Sequence, residues 1–168
     1  LFFRTAPTDA RQGQILADMV SERGVTEIAV TYTNNDYGKG LADAFQANFE
    51  AKGGTVTISA AHEDGKADYS AEVAALAAAG GEELAVFGYL DQGGKGIIQA
   101  SIDTGAFDVF VMGDGMIGDS IAAAIGSDFD GSYGTVPGST SAGAMTWINT
   151  VSGDGVDGSA PFTAESYD

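Results

Sequence analysis

Few side chains in this sequence are equipped for chemistry, and most of those are acidic or aromatic. Cysteine is absent, which removes thiol catalysis, disulfides and thiolate metal sites together. The one histidine, His62, has no G-x-S-x-G elbow to serve, so a catalytic triad has neither its nucleophile turn nor a choice of base. Placed after the second β-rich run, His62 reads as a solvated loop residue. Gly94-Lys95 imitates part of a phosphate-binding loop, but Tyr89 stands where the leading glycine belongs and Gly96 where Ser or Thr belongs. Asp128, Asp130, Asp154 and Asp157 sit beside glycines without the spacing of an EF-hand, and turn formation explains them better.

What remains is Tyr37, Tyr89, Asp91 and Asp114. Two tyrosines and a carboxylate on one edge suit a small ligand with an ammonium group and an apolar part. Asp114 would take the ammonium in a charge-assisted hydrogen bond, while Tyr37 and Tyr89 pack on the carbon skeleton or lie beside the cation. Structural readings compete with these: Tyr37 packing at a helix start, and Asp114 capping the helix that follows it.

These residues are singled out by the elements that must carry them. Thr8 or Asp9 can cap a first helix with Ile15, Leu16, Met19 and Val20 on one face, ending near Gly24. Glu27 to Thr33 is β-rich and reads as a strand. Asn34 to Gly38 turns into a helix with Leu41, Phe45 and Phe49 at i, i+4, i+8, stopped by Gly53-Gly54. The beat continues with a strand at Val56 to Ala60 and a helix from Tyr69 to Ala79 that turns Val73, Leu76 and Ala77 inward. A strand at Glu83 to Phe87 precedes a helix from Gln92 to Asp103 bearing Ile97, Ile98 and Ile102. Val109 to Met112, a short helix around Ile121 to Ile125, and a last strand from Ser132 to Val136 close the set.

Strands alternating with helices of this length imply βαβ units, hence an α/β fold: a three-layer, doubly wound, mostly parallel sheet. In such a sheet ligands bind outside the carboxyl ends of the strands. Four loops qualify, Asn34 to Gly38, Ala61 to Gly65, Gly88 to Gly93 and Gly113 to Gly118, and they hold the candidates named above. No G-x-G-x-x-G follows the first strand, so a dinucleotide site of the usual kind is not expected. No cofactor and no metal is expected.

The formal charge is −17, from 24 acidic and 7 basic residues, which repels phosphate backbones and anionic headgroups. Nucleic acid is therefore not an expected partner. The longest apolar stretches are too short to cross a bilayer. The chain opens on Leu1-Phe2-Phe3-Arg4 without an initiator Met and reads like the inside of a domain. After Gly138 its character changes: Ser139 to Gly143 looks like a crossover, Ser152 to Ser159 is rich in Gly, Asp and Ser, and only Ala144 to Val151 and Phe162 to Tyr167 read as helical. The division expected is a lobe over residues 1–139 and a crossover and return segment over 140–168.

Several short stretches carry a resemblance in consistent order. They are Phe3-Arg4-Thr5, Asp9 to Gly13 (D-x-x-Q-G), Asp36-Tyr37-Gly38-Lys39-Gly40, Asp68-Tyr69-Ser70, Gly88-Tyr89, Gln99-Ala100 and Met112-Gly113-Asp114-Gly115. On these the chain resembles the periplasmic Leu/Ile/Val-binding proteins, receptors of branched-chain amino acid ABC transporters with the type I periplasmic binding fold. The final Phe162 to Asp168 is similar to the family's next helix, where the chain returns to the first lobe.

That resemblance covers the second of two Rossmann-like lobes that close on a ligand. It implies ligand-facing roles for Tyr37 and Tyr89, and an α-ammonium partner in Asp114 once a one-residue gap is allowed. The first-lobe Ser and Thr groups that grip the α-carboxylate have no counterpart in this chain. The resemblance further implies a periplasmic solute receptor rather than an enzyme, with ABC permease subunits and the missing first lobe as partners. Two alternatives stand beside it: a ligand-sensing regulatory or receptor module of the same fold, and a flavodoxin-like or other doubly wound enzyme.

Overall fold

A computed structural model describes residues 7–117, 121, 123, 125–138 and 142–155. The described residues fall into two compact units, one spanning Asp9–Thr135 and one containing Val136 and the residues after it.

In the larger unit the order is α1 (Asp9–Glu22), β1 (Glu27–Thr33), α2 (Asp36–Ala51), β2 (Thr55–His62), α3 (Ser70–Ala79) and β3 (Glu83–Phe87). A π-type turn (Leu90–Gly94) then leads into α4 (Lys95–Thr104), β4 (Phe110–Met112), two 3-10 turns (Asp114–Met116 and Gly126–Phe129) and β5 (Tyr133–Gly134). The five strands run in the order β2-β1-β3-β4-β5, and every pairing is parallel.

Alternation along the strands sorts the core into two layers. Ile28, Val30, Ala85, Phe87 and Val111 face α1 and α2, meeting Leu16, Val20, Leu41, Phe45 and Phe49. Ala29, Leu84, Val86, Phe110 and Met112 face α3 and α4, meeting Val73, Leu76, Ile97 and Ile98. Because helices cover both faces, central β3 is buried at every residue and from Leu84 on reads as a continuous apolar run. The doubly wound sheet expected from the sequence is present.

Several local expectations change. Ala77 is exposed, since α3 turns only Val73 and Leu76 inward. The helix expected from Gln92 begins as α4 at Lys95, because Gln92 and Gly93 hold non-helical backbone angles. β2 runs on through His62, and β5 is only two residues long. Of the helix expected around Ile121 to Ile125, the described residues Ile121, Ala123 and Ile125 are helical.

The smaller unit holds α5 (Ala142–Gly153), which contains the expected Ala144–Val151 helix. The expected Phe162 to Tyr167 helix lies outside the described residues.

Candidate functional site

The strand order reverses between β1 and β3: the chain winds from β1 to β2 on one side, then crosses back to β3 on the other. Such a switch point opens a crevice outside the carboxyl ends of the two strands, the usual ligand position in an open α/β sheet. Tyr37 follows β1 and Tyr89 follows β3, so the two tyrosines flank this crevice.

Tyr37 is placed by a helix cap. Asn35 holds extended backbone and its side chain accepts from the Gly38 N–H at 2.8 Å, starting α2 at Asp36. Tyr37 therefore lies in the first turn of α2 rather than in a loop. Its hydroxyl donates to Asp114 Oδ1 at 2.6 Å. Burial, then the hydrogen bond to Asp114 and its negative charge, push the phenol well above its ordinary pKa, so it stays protonated and serves as a donor.

Asp114 opens the 3-10 turn after β4. Its Oδ1 also accepts from Gln12 Nε2 at 2.7 Å, and that amide reaches the Thr135 hydroxyl at 3.0 Å. Two donors thus converge on one oxygen, while no described residue donates to Oδ2. The carboxylate is held through Oδ1, with Oδ2 unpaired among the described residues. The Tyr37 and Tyr89 rings lie with centroids 5.2 Å apart and planes tilted by 43°. Tyr89 is 41 % exposed, a large aromatic face left uncovered beside a half-buried carboxylate.

The expected trio of Tyr37, Tyr89 and Asp114 is therefore gathered at one edge, and Asp114 spends its carboxylate on Tyr37 of α2 and Gln12 of α1 rather than on a helix cap. Asp91 does not join them. It is exposed on the π-type turn and lines a depression on the α3/α4 side with Lys66, Tyr69 and Lys95. Gln12, from the D-x-x-Q-G stretch, joins this cluster although nothing in the sequence sets it apart as a candidate.

His62 corrects an expectation outright. It is not a solvated loop residue but the buried last residue of β2, with its ring nitrogens 2.9 Å from Thr31 Oγ1 and 3.3 Å from Thr33 Oγ1. Loss of hydration pushes the imidazole down to about 4, against the opposing pull of Glu72 and Glu63.

With this geometry in place, sequence comparison is decisive: residues 1–153 match the family described as periplasmic binding protein. The chain belongs to that family. Members of the periplasmic binding protein family are solute-binding proteins, and this chain shares 39 % identity over 97 residues with the Leu/Ile/Val-binding protein homolog 3 of Brucella melitensis. That match takes in 55 % of the chain and 25 % of the relative. Among solved structures, a leucine binding protein, LivK, from Thermotoga maritima superimposes with a TM-score of 0.83 at 21 % identity, over 98 % of this chain and 48 % of the other. The branched-chain amino acid transporter substrate binding protein LivJ of Streptococcus pneumoniae, solved with isoleucine, gives 0.76 at 23 % identity, over 97 % and 48 %. The chain thus spans about half the length of these periplasmic binding protein structures, and less of the curated relatives it matches.

Proposed function

We propose that this chain is the second, ligand-capping lobe of an ABC transporter receptor that binds a small amino acid or close analogue. Residues 1–139 form the lobe and 140–168 the crossover and return toward a first lobe. The observation that carries this reading is the Asp114 carboxylate, fixed through Oδ1 by Tyr37 and Gln12 with Oδ2 left to accept. An α-ammonium fits that oxygen as a charge-assisted donor, and the Tyr37 and Tyr89 rings supply an apolar, cation-tolerant wall. The names of the relatives, leucine- and branched-chain-binding, support the same ligand class.

In this mechanism an open receptor takes a zwitterion against the edge of one lobe, and the other lobe closes over it about a hinge. Closure excludes water, which strengthens the ammonium–carboxylate contact. The ligand's carboxylate is gripped by the partner lobe, so neither lobe alone holds the whole molecule. The closed receptor delivers its ligand to permease subunits from the periplasm. No bond is made or broken in this cycle, and the reading is of a binding protein rather than an enzyme.

A thermal-shift screen of the full-length receptor against amino acids, amides and aromatic carboxylates tests it. Stabilisation by aliphatic amino acids, lost in Asp114→Ala, is the expected outcome. Hits confined to carboxylates without an amine, or undiminished binding by Asp114→Ala, would sink the assignment.

A further inference from the structure

Against the backbone of the Tyr89 loop lies a polar pair outside the Tyr37–Gln12–Asp114 cluster. Thr33 and His62 are register partners at the ends of β1 and β2, and both are buried. The Thr31 hydroxyl donates to the Ala60 carbonyl at 3.0 Å, which commits its proton and makes His62 Nδ1 the donor to Thr31 Oγ1 at 2.9 Å. Nε2 is then left as an acceptor, 3.3 Å from Thr33 Oγ1; this tautomer is assigned from the hydrogen-bond network. Thr33 Oγ1 in turn accepts from the Tyr89 N–H at 3.3 Å, and its single proton is shared between His62 Nε2 and the Gln92 carbonyl, each at 3.3 Å. One hydroxyl thus touches the loop at its first residue and again three residues on.

The glycines that bracket the loop press on the same pair. Gly88 has φ +127°, and a Cβ there would collide with Thr33 Oγ1 and lie 2.6 Å from Thr33 Cβ. Gly93 has φ +94°, and a Cβ there would lie 2.8 Å from His62 Cδ2 and 2.8 Å from the Tyr69 hydroxyl. The backbone on both sides of Tyr89 is seated against Thr33 and His62 as closely as a bare chain allows.

We propose that Thr33, braced by His62, is the positioning residue that fixes the Tyr89 backbone and aims its ring across the crevice at Tyr37. An apolar side chain at this place would hold the loop by packing, but it would offer no direction to the Tyr89 N–H. A β-branched threonine supplies a hydroxyl on a stiff χ1, and His62 fixes which way its proton and lone pairs point. The inference rests on the reading that Tyr89 faces the ligand.

The test compares Thr33→Val, which removes only the hydroxyl, with Thr33→Ser, which keeps it, in the intact protein. Hydrogen exchange at the Tyr89 amide, which donates to Thr33, should quicken about tenfold in Thr33→Val and stay near wild type in Thr33→Ser, with the Phe45 and Phe49 amides of α2 unchanged. Leucine affinity, measured by calorimetry well below the melting temperature, should fall about five- to tenfold in Thr33→Val and recover in Thr33→Ser. Equal exchange in the two variants overturns the proposal, whether or not leucine binds. If exchange separates the variants while Asp114→Ala binds leucine normally, the positioning stands and the ligand reading fails.

Discussion

The Tyr37 hydroxyl and the Asp114 carboxylate, 77 residues apart in sequence, are joined by a 2.6 Å hydrogen bond that ties the start of α2 to the loop after β4. Gln12 from α1 meets the same oxygen. Three helical segments that share no local contact in sequence therefore agree on one orientation for one side chain. Orientation matters to the proposed function, because both donors engage Oδ1 and the proposed ammonium contact falls to Oδ2.

Removing either donor should loosen that orientation without removing the charge. Tyr37→Phe keeps the ring and should cost about 1–2 kcal/mol of folding stability from one lost bond to a carboxylate, while Gln12→Leu keeps the bulk and should cost at least as much, because it also gives up the bonds to Thr135. Affinity for an amine-bearing ligand should fall about tenfold in each, since Asp114 can then turn inward to its remaining donor. Because both donors serve one oxygen, the double variant should depart from additivity by about 0.5 kcal/mol or more. Urea unfolding and titration calorimetry on the four proteins of the cycle check this; strict additivity would mean the two bonds act independently.

The parts of this arrangement that were legible in the sequence are those set by local pattern. β1 and β3 match their expected bounds because Glu27–Thr33 and Glu83–Phe87 are unbroken β-rich runs between turn residues. Tyr37, Tyr89 and Asp114 stand out in the sequence because they follow strand ends, which mark the usual ligand edge of a parallel sheet whatever residues stand there. Gln12 was missed because its partner is 102 residues away and a glutamine on a helix face looks like any solvated residue. His62 reads as a loop residue because the β-rich pattern stops at Ala60, two residues short of where β2 ends. Its polar neighbours, Thr31 and Thr33, alternate on β1 in step with it, and only the strand register shows that they enclose it. The break at Gln92 and Gly93 was hidden because two glycines before an apolar helix read equally as its first turn.

Burial of His62 gives stability a pH dependence whose sign follows from the direction of its shift. The folded imidazole titrates at about 4 and the unfolded one near 6.5. Above 6.5 neither state binds the proton and His62 contributes no slope. Between 6.5 and 4 the unfolded chain is protonated first, so stability is lost as pH falls, up to about 3 kcal/mol at full shift. Besides lost hydration, the groups acting on the ring are Glu72 on α3, Glu63 beside it and the Gln92 carbonyl, all of which favour the cation, with the Tyr69 ring edge-on at 6.4 Å. Carboxylates elsewhere also titrate near the lower end, so the readout is the difference between wild type and His62→Gln. That difference should be flat above pH 7 and shrink steadily on acidification to pH 4; parallel stability curves would show that His62 titrates as an exposed imidazole.

Gly13, beside Gln12 in the D-x-x-Q-G stretch, explains how α1 comes close enough to α2 for the network to form. A Cβ on Gly13 would lie 2.7 Å from the Phe45 amide nitrogen and 2.8 Å from Ala44 Cβ, so backbone rather than a flexible tip stands in its way. Gly13→Ala must push the two helices apart, at a cost of about 1–3 kcal/mol for overpacking that outweighs the alanine's better helix propensity. Separation of α1 also draws Gln12 away from Asp114, so affinity for an amine-bearing ligand should fall along with stability. Gly40 in α2 provides the control, because its Cβ would meet only Asp9 Oδ2 at 3.8 Å, an ordinary contact. Gly40→Ala should therefore stabilise the fold by up to about 1 kcal/mol and leave binding unchanged. Thermal and urea unfolding of both variants, with calorimetry beside them, should give opposite signs of stability change. The same sign in both would mean that helix propensity, and not the approach of α1 to α2, governs the Gly13 position.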